Sequence, residues 1–223
     1  MVSIDDVYQK VLALANKEQR GYITPQEFNL FADHAQKEIF EHYFYELNQF
    51  LRVHGNSEEY SDIIDNIREK ISVFERVATG GNPLILPADV YRLGTIITED
   101  GVEIQEVQPN ELLYINKSPL LSPTINRPVY IKRGNQCTIS PQDITTSTYN
   151  FVGVPTKPNW GYAVVGTDAM WLPATTVDFE LHASEEVELV YKILLQAGVS
   201  IQRQDVTQAA AAGQATQNQL EKQ

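Results

Sequence analysis

The sequence has little of what most catalytic and metal-binding sites require. Its 223 residues contain one cysteine, Cys137, so no disulfide can form within the chain and no cysteine cluster can bind zinc. The single cysteine fits a reducing compartment. No glycine-rich phosphate loop, serine-hydrolase elbow or paired-histidine zinc motif occurs. We therefore predict a protein that is not an enzyme, with no catalytic residue, no metal and no cofactor.

Basic residues and long apolar runs are also scarce. The chain has 17 Lys and Arg against 29 Asp and Glu, a formal net charge of -12. A surface that neutralises nucleic-acid phosphates needs clustered basic residues, whereas these are scattered. No stretch of about 20 consecutive apolar residues occurs, and the start MVSIDDVYQK lacks a signal-peptide pattern. We expect a soluble protein with no membrane segment, not exported by a signal peptide.

Two sets of polar residues are spaced as sites would be. His34, Glu38 and His42 fall at i, i+4 and i+8 of a predicted helix, which could place two imidazoles and a carboxylate along one stripe. We interpret them as a solvated or subunit-facing strip, because zinc ligands come from more tightly specified motifs. Adjacent carboxylates are interpreted as turn and helix-start residues rather than a glycosidase acid and base. These pairs are Glu58 and Glu59, Glu99 and Asp100, and Glu185 and Glu186.

The chain is organised around one long predicted helix, residues 24–54. Thr24 is placed as its N-cap, Pro25 needs no hydrogen-bond partner at the first helical position, and Glu27 can complete a capping box. Apolar residues then recur every three or four positions without an intervening Gly or Pro. About thirty residues would form a rod of roughly 45 Å. Such a rod needs packing partners along its length.

The rest of the chain divides by its hydrophobic period. Helical patterns precede and follow the long helix, and a last one runs from Ser184 to Gly198. Between them, short alternating runs separated by turn residues predict strands. We predict an α+β fold in which N- and C-terminal helices form a bundle with an inserted antiparallel β domain. The predicted domains are an N-terminal helical region (1–82), a β-rich domain (83–182), a C-terminal helix completing the bundle (183–204) and a polar arm (205–223).

Two segments suggest contacts with partners. Trp160 lies in a loop rich in turn residues, 154–162, where a large aromatic is either folded back over the core or offered to a partner. The tail from residue 207 is almost entirely Ala, Gln, Thr and Asn, so it is either disordered or an arm that orders on a neighbouring subunit. The candidate interface residues are Phe151, Trp160, Tyr162, Val206 and Leu220.

Two phrases near the ends of the chain resemble the start and end of a structural protein of short-tailed bacteriophages, particularly crAss-like and related marine phages. They are GYITPQEFNLFADHAQKEIFEHYF (residues 21–44) and FELHASEEVELVYKILLQAGVSIQRQDV (residues 179–206). Between them, LPADVYRLGTI (86–96) and RPVYIKRGNQCTISP (127–141) are similar to the β region of head-to-tail connector proteins, the adaptor or ring proteins beneath the portal. The resemblance consists of whole phrases and carries no catalytic signature.

The resemblance implies a multi-copy ring, commonly dodecameric, at the head-to-tail junction of a virion, assembled from subunits made in the host cytoplasm. It implies contacts with the portal protein and with the tail or a second neck ring. DNA would pass through the ring without specific binding, and an acidic channel wall would let it slide. The other readings kept open are another virion structural protein (minor tail or capsid-associated), a virion-borne hydrolase, and a host-directed binding module.

Overall fold

The computed structural model describes residues 1–17, 23–52, 58–166 and 168–200, with the isolated positions 212 and 215. The chain divides into two compact units. The first, here the helical unit, comprises Met1–Val73 and Pro155–Gln223, and the second, the β unit, comprises Phe74–Val154. Among the described residues, no helix is both long and apolar enough to cross a bilayer.

Five α-helices occur in the described part of the chain. They are α1 (Ile4–Lys17), α2 (Pro25–Arg52), α3 (Glu58–Ser72), α4 (Pro109–Ile115) and α5 (Glu186–Ser200). All but α4 belong to the helical unit. Its core is formed by fully buried side chains of α1, α2 and α5 and of the segment that precedes α5: Ile4, Val7, Val11, Phe28, Ala32, Ala35, Phe179, Leu181, Leu189 and Ile193.

The predicted start of the long helix is confirmed. The backbone N–H and the hydroxyl of Thr24 donate to Glu27 Oε2 at 3.0 and 2.8 Å, and the Glu27 N–H donates back to Thr24 Oγ1 at 3.3 Å. The hydrogen bond from the Thr24 backbone holds the pKa of the Glu27 carboxyl below its usual value. Because these hydrogen bonds occupy backbone N–H groups that have no partner within the helix, α2 can begin at Pro25.

The β unit is built on one sheet. Among the described residues the sheet has seven strands in the order β1-β7-β3-β4-β5-β6-β2, with neighbours antiparallel except for the parallel pair β4 and β5. The strands are β1 (Glu75–Gly81), β2 (Leu84–Ile85), β3 (Val90–Thr98), β4 (Glu103–Glu106), β5 (Val129–Arg133), β6 (Gln136–Ser140) and β7 (Thr146–Gly153). The sheet is nearly closed and barrel-like. Its core is a buried cluster, with Leu84, Ile96, Ile139, Tyr149 and Phe151 among its members.

The prediction of a terminal helical bundle with an inserted antiparallel β domain is wrong. The chain is a mixed α+β protein whose seven-stranded sheet, counted over the described residues, nearly closes into a barrel and contains a parallel pair. The segment 155–182 belongs to the helical unit and adds its own hairpin, β8 (Tyr162–Val165) with β9 (Asp168–Trp171). Alternating apolar runs revealed the strands, but their period carries no information on which strands pair.

Two hairpins of the main sheet have a glycine with positive φ in the turn. Gly101 has φ of 80° in the turn between β3 and β4, and Gly134 has φ of 61° between β5 and β6. Glycine adopts this left-handed region without the steric cost that a Cβ atom imposes. Because β4 and β5 are parallel, the chain must cross over from the end of β4 to the start of β5, and the residues between these strands form this connection.

Candidate assembly interface

Trp160 is folded back over the core of the helical unit. Only 3% of it is exposed, and its ring centroid lies 4.3 Å from that of Tyr8 and 5.9 Å from that of Tyr162. The indole Nε1–H donates to Asp5 Oδ1 at 2.8 Å. Of the two readings of this residue, the structure therefore shows the one in which it completes a core.

Polar side chains of α2 fix the segment on either side of Trp160. Asn29 Oδ1 accepts the Trp160 backbone N–H at 2.8 Å, and its amide donates to Asn159 Oδ1 at 3.1 Å. Two turns further along α2, the buried Gln36 donates to the Thr156 carbonyl at 2.7 Å and accepts the Glu180 N–H at 3.0 Å. Two amides therefore satisfy backbone groups that would otherwise be buried without partners.

The other candidate interface residues fall in different surroundings. Phe151 is 5% exposed and packs in the core of the β unit, with its ring 5.7 Å from that of Tyr149. Tyr162 is half-buried at the start of β8. Val206 and Leu220 lie outside the described residues. Trp160 and Tyr162 are in ring contact within the helical unit, whereas Phe151 belongs to the β unit, and the role of all three in contacts with partners stays a prediction.

The hairpin of β8 and β9, called the ribbon below, exposes apolar side chains on both faces. Val164, 67% exposed, lies on one face, and Val165 and Met170, each more than half exposed, lie on the other. A two-stranded ribbon is at best marginally stable in water unless a third strand or another element packs on it. Several exposed apolar side chains on one element are typical of an interaction site.

The base of the ribbon is held firmly. The Leu172 N–H donates to the Gly161 carbonyl at 2.8 Å, and the Trp171 indole donates to Thr176 Oγ1 at 3.0 Å. An added Cβ at Gly161 would lie 2.7 Å from the Leu172 carbonyl oxygen, so only glycine fits there. The ribbon therefore projects from a fixed base and presents its apolar residues in a defined geometry.

A second exposed apolar segment lies in the β unit. Residues 108–128, called the excursion below, connect β4 to β5 and contain α4, none of whose residues is buried. Five of its large apolar side chains are at least half exposed, and Leu120 reaches 89%. They are Leu113, Tyr114, Leu120, Leu121 and Ile125.

Of these two surfaces, sequence reasoning named only Tyr162, at the start of the ribbon, as a contact residue. Both segments fall within the β-rich domain that the sequence predicts for residues 83–182. For the excursion, one usable signal was the density of large apolar residues in a segment rich in Pro, Asn and Ser. The turn residues of such a segment predict a loop, whereas its apolar residues predict a buried element. A loop whose apolar residues are exposed to a partner satisfies both patterns.

Ion pairs join the helices of the helical unit. Glu185, fully buried, accepts from Lys70 Nζ at 2.7 Å, and Lys192 Nζ lies 2.7 Å from Glu38 and 3.6 Å from Glu188. Burial opposes ionisation of Glu185, but the hydrogen bond and charge of Lys70 outweigh it and hold the pKa of the carboxyl below its usual value. We interpret the set as structural, since each lysine is directly paired with a carboxylate.

Burial shifts the pKa of titratable groups in the β unit. Burial raises the pKa of Tyr130 to about 12, with the Glu106 carboxylate adding to the effect. Burial also raises the pKa of the Cys137 thiol, which favours its protonated form. Over the described residues, no group of three or more His, Cys, Asp or Glu side chains is placed to hold a metal ion. Of the histidine strip, Glu38 pairs with Lys192 and His42 with Glu46.

Comparison of the chain with protein-family models and with curated proteins gives no match. The ribbon, the excursion and the charge of the chain are the features that bear on its function. The ribbon and the excursion suit contact with other proteins better than binding of a small ligand, because their large apolar side chains are exposed.

Proposed function

We propose that this chain is a structural virion protein, the subunit of a ring that joins the portal to the tail as a head-to-tail connector and lines the DNA passage. The observation that carries the proposal is the ribbon, a hairpin with exposed apolar side chains on both faces. A subunit in a closed ring contacts two neighbours through two different surfaces. A ribbon seated on a neighbour would bury Val164, Val165 and Met170.

The charge of the chain supports the same role. The sequence of the β unit has eight acidic and six basic residues, which leaves 21 acidic and 11 basic residues for the helical unit, a net charge of -10. An acidic wall repels the DNA phosphates, so DNA passes without being held. The resemblance of whole phrases to connector proteins points to the same place in the virion.

Electron microscopy of purified virions, with the chain located in the map, tests the proposal. We expect a ring of identical copies between portal and tail. Copies on the capsid or on the tail periphery would replace the connector role by that of another virion structural protein. Absence from virions would overturn both roles, and glycan turnover lost on mutation of one carboxylate would establish a hydrolase instead.

A matched pair of variants tests the ribbon directly. Val164→Asp with Met170→Asp introduces charge on both faces of the ribbon, and we expect the subunit to fold but to be lost from virions. Val187→Asp is the control, since Val187 is also more than half exposed but lies in α5. Normal incorporation of the ribbon variant into virions would contradict the contact role of the ribbon, on which the proposal depends.

A further inference from the structure

Both outer edges of the ribbon have backbone groups that point away from it. Among the described residues, β8 and β9 pair only with each other, and no further backbone hydrogen bond occupies their outward groups. The Leu172 N–H donates to the Gly161 carbonyl, and hydrogen-bonded positions alternate with non-hydrogen-bonded ones along an antiparallel pair. The next positions along the ribbon, and every second one after them, therefore direct their N–H and C=O outward. These residues are Tyr162 and Val164 on β8 and Ala169 and Trp171 on β9.

The ribbon also lacks the features that keep an exposed edge from pairing. Edge strands of natural proteins are usually protected by charged residues, proline or a bulge. The strands β8 and β9 contain one charged residue, Asp168, and no proline, and their register runs without a bulge. Val164 is exposed and Ala169 is partly exposed. Both edges are therefore open to another strand.

The two edges are complementary to each other. In the ribbon, Val164 lies opposite Ala169, and Tyr162 lies opposite Trp171. When β8 of one copy lies antiparallel to β9 of another copy in this same register, each outward-facing residue meets another outward-facing residue. Their N–H and C=O groups can then form a new ladder, and the side chains of both copies lie on the same faces as in the ribbon itself. The ribbon thus already contains the pairing that would join two copies.

The charge of the chain favours a second copy as the occupant of these edges. Copies of net charge -12 repel each other, so they associate through surfaces with few acidic residues. Asp168 is the only charged residue between Lys157 and Asp178 in the sequence. A basic partner would be attracted to acidic surface elsewhere, because the ribbon offers it a single carboxylate. An almost uncharged edge that complements itself therefore fits the ribbon of a second copy.

We propose that the outer edge of β8 in one copy pairs, antiparallel, with the outer edge of β9 in the next copy. The ribbons then form one continuous sheet to which every copy contributes two strands. The contact joins two different edges, so association continues from copy to copy until the sheet closes into a ring and no edge is left. The inference rests on the proposed function and names the contact through which its subunits join.

The test uses two proline variants of the full-length chain. Val164→Pro removes the outward N–H of β8, and Ala169→Pro removes that of β9. Neither N–H takes part in the ribbon's own ladder, and proline is tolerated at such edge positions, so far-UV circular dichroism and thermal unfolding should match the wild type. By sedimentation velocity, we expect the wild type to self-associate and each variant to do so at least about tenfold more weakly, because a hydrogen bond is lost and the proline ring obstructs the edge.

Mixing the two variants distinguishes this contact from others. Each variant keeps the edge that the other has lost, so the mixture should form one-to-one pairs that grow no further. A variant that self-associates alone as strongly as the wild type would indicate pairing between two like edges and overturn the proposal. A wild type that stays monomeric at its highest soluble concentration, or a mixture that forms no pairs, would also overturn it.

Ile85→Pro is the matched control. Ile85 lies on β2, at the end of the main sheet, and is 74% exposed. The Leu86 N–H donates to the Asn135 carbonyl, so by the same alternation the N–H of Ile85 points away from β6. This variant places proline on an exposed edge outside the ribbon, and association should be unchanged. An equal loss in this control would contradict the assigned edges.

Hydrogen exchange separates edge pairing from packing of the apolar faces. The outward amides of Val164 and Ala169 should exchange rapidly in the monomer and at least about tenfold more slowly in the assembly, because they then donate to a neighbouring strand. Exchange quenched at intervals and measured by NMR gives both rates. Association that leaves these two amides unprotected would show that the ribbons pack by their faces and would overturn the proposal.

The dependence on salt has a definite sign. Because the paired edges carry almost no charge while the copies repel each other, association should strengthen as salt rises from about 0.05 to 0.5 M and screens the repulsion. Sedimentation velocity at both salt concentrations measures the change. Association that weakens over this range would indicate a contact between opposite charges and contradict the proposed edges.

The virion map separates the two proposals. A ring between portal and tail in which β8 of one copy does not pair with β9 of the next would overturn the contact and leave the connector role standing. Ribbons paired in this way in a chain located elsewhere in the virion would leave the contact standing and overturn the connector role.

Discussion

The indole of Trp160 donates to Asp5 Oδ1 at 2.8 Å while its ring lies 4.3 Å from the ring of Tyr8. Asp5 and Tyr8 lie on α1, so a residue from the segment that follows the β unit in sequence completes the packing of the first helix. A buried aromatic with a satisfied polar tip contributes both apolar burial and orientation. This contact is therefore a main structural element of the helical unit.

Replacement of Trp160 by Ala should destabilise the helical unit by about 3–5 kcal/mol, because it removes a buried aromatic and leaves a cavity. Urea unfolding followed by helical circular dichroism measures the change. Trp171→Ala is the matched control, since Trp171 is 47% exposed on the ribbon, and its cost should be well below that of Trp160→Ala. Equal costs would show that Trp160 does not support the core.

The ion pair between Lys70 and Glu185 should be costly to break from one side. Lys70→Met leaves a buried carboxylate without its cation, which costs about 3–5 kcal/mol in such pairs. Urea unfolding at pH 7 measures it. Arg68→Met is the control on the same helix, because its pair with Asp65 is exposed and worth little. A loss no larger than that of the control would show that Glu185 is otherwise compensated.

The same pair predicts a dependence of stability on pH. Because the pKa of Glu185 is lowered from 4.5 in the folded state, its ionised form stabilises the fold above pH 4.5, and this contribution is lost as pH falls through the lower folded pKa. The difference in unfolding free energy between wild type and Glu185→Gln should therefore shrink as pH falls below 4.5. A difference that stays constant between pH 7 and pH 3 would contradict this linkage.

His42 should titrate above its usual range. The hydrogen bond with Glu46, 3.1 Å away, raises the pKa of His42 above 6.5, burial opposes this, and the charge of Glu188 adds to the increase while that of Lys192 opposes it. The protonated form thus stabilises the fold below pH 6.5, and the contribution is lost as pH rises through the folded pKa. NMR titration should show the raised pKa, and Glu46→Gln should lower it. An unchanged pKa of His42 in Glu46→Gln would show that Glu46 does not cause the shift.

Gly161 should tolerate no side chain. In Gly161→Ala the added Cβ would lie 2.7 Å from the Leu172 carbonyl oxygen and 2.8 Å from the Thr175 carbonyl carbon, both backbone atoms, so the base of the ribbon must shift. We expect a loss of about 1–3 kcal/mol by thermal or urea unfolding. At Gly81 the Cβ would lie 3.5 Å from the nearest atom, so Gly81→Ala should cost much less. Comparable losses would contradict the steric argument.

Features set by neighbouring residues were predictable from the sequence. The capping box of Thr24 and Glu27 and the turns at Gly101 and Gly134 depend on chemistry within four residues, and the structure contains them. Helical periods located α1, α2, α3 and α5, because burial of one face repeats every three or four residues. Such patterns predict the local secondary structure and which side of each element is buried.

Features set by distant partners were not predictable. The strand period does not reveal that β4 runs parallel to β5, nor that residues 155–182 pack with helices instead of joining the main sheet. Trp160 shows the same limit, because its partners on α1 are about 150 residues away, and no local pattern separates a buried indole from an exposed one. Apart from Tyr162, the candidate surfaces were missed for the opposite reason, since exposed apolar residues break the rule that identifies buried ones.

The hydrogen bond from the Ile4 N–H to Asp178 joins residues 174 positions apart, and it sets an order of events during synthesis. At typical elongation rates of about 5–20 residues per second, the ribosome needs on the order of ten seconds or more to supply this partner for the start of α1. Every strand of the main sheet leaves the ribosome within that interval. The β unit can thus finish folding while the apolar stripe of α1 still lacks α5, so for this time the nascent chain depends on chaperones or transient packing to stay free of aggregation.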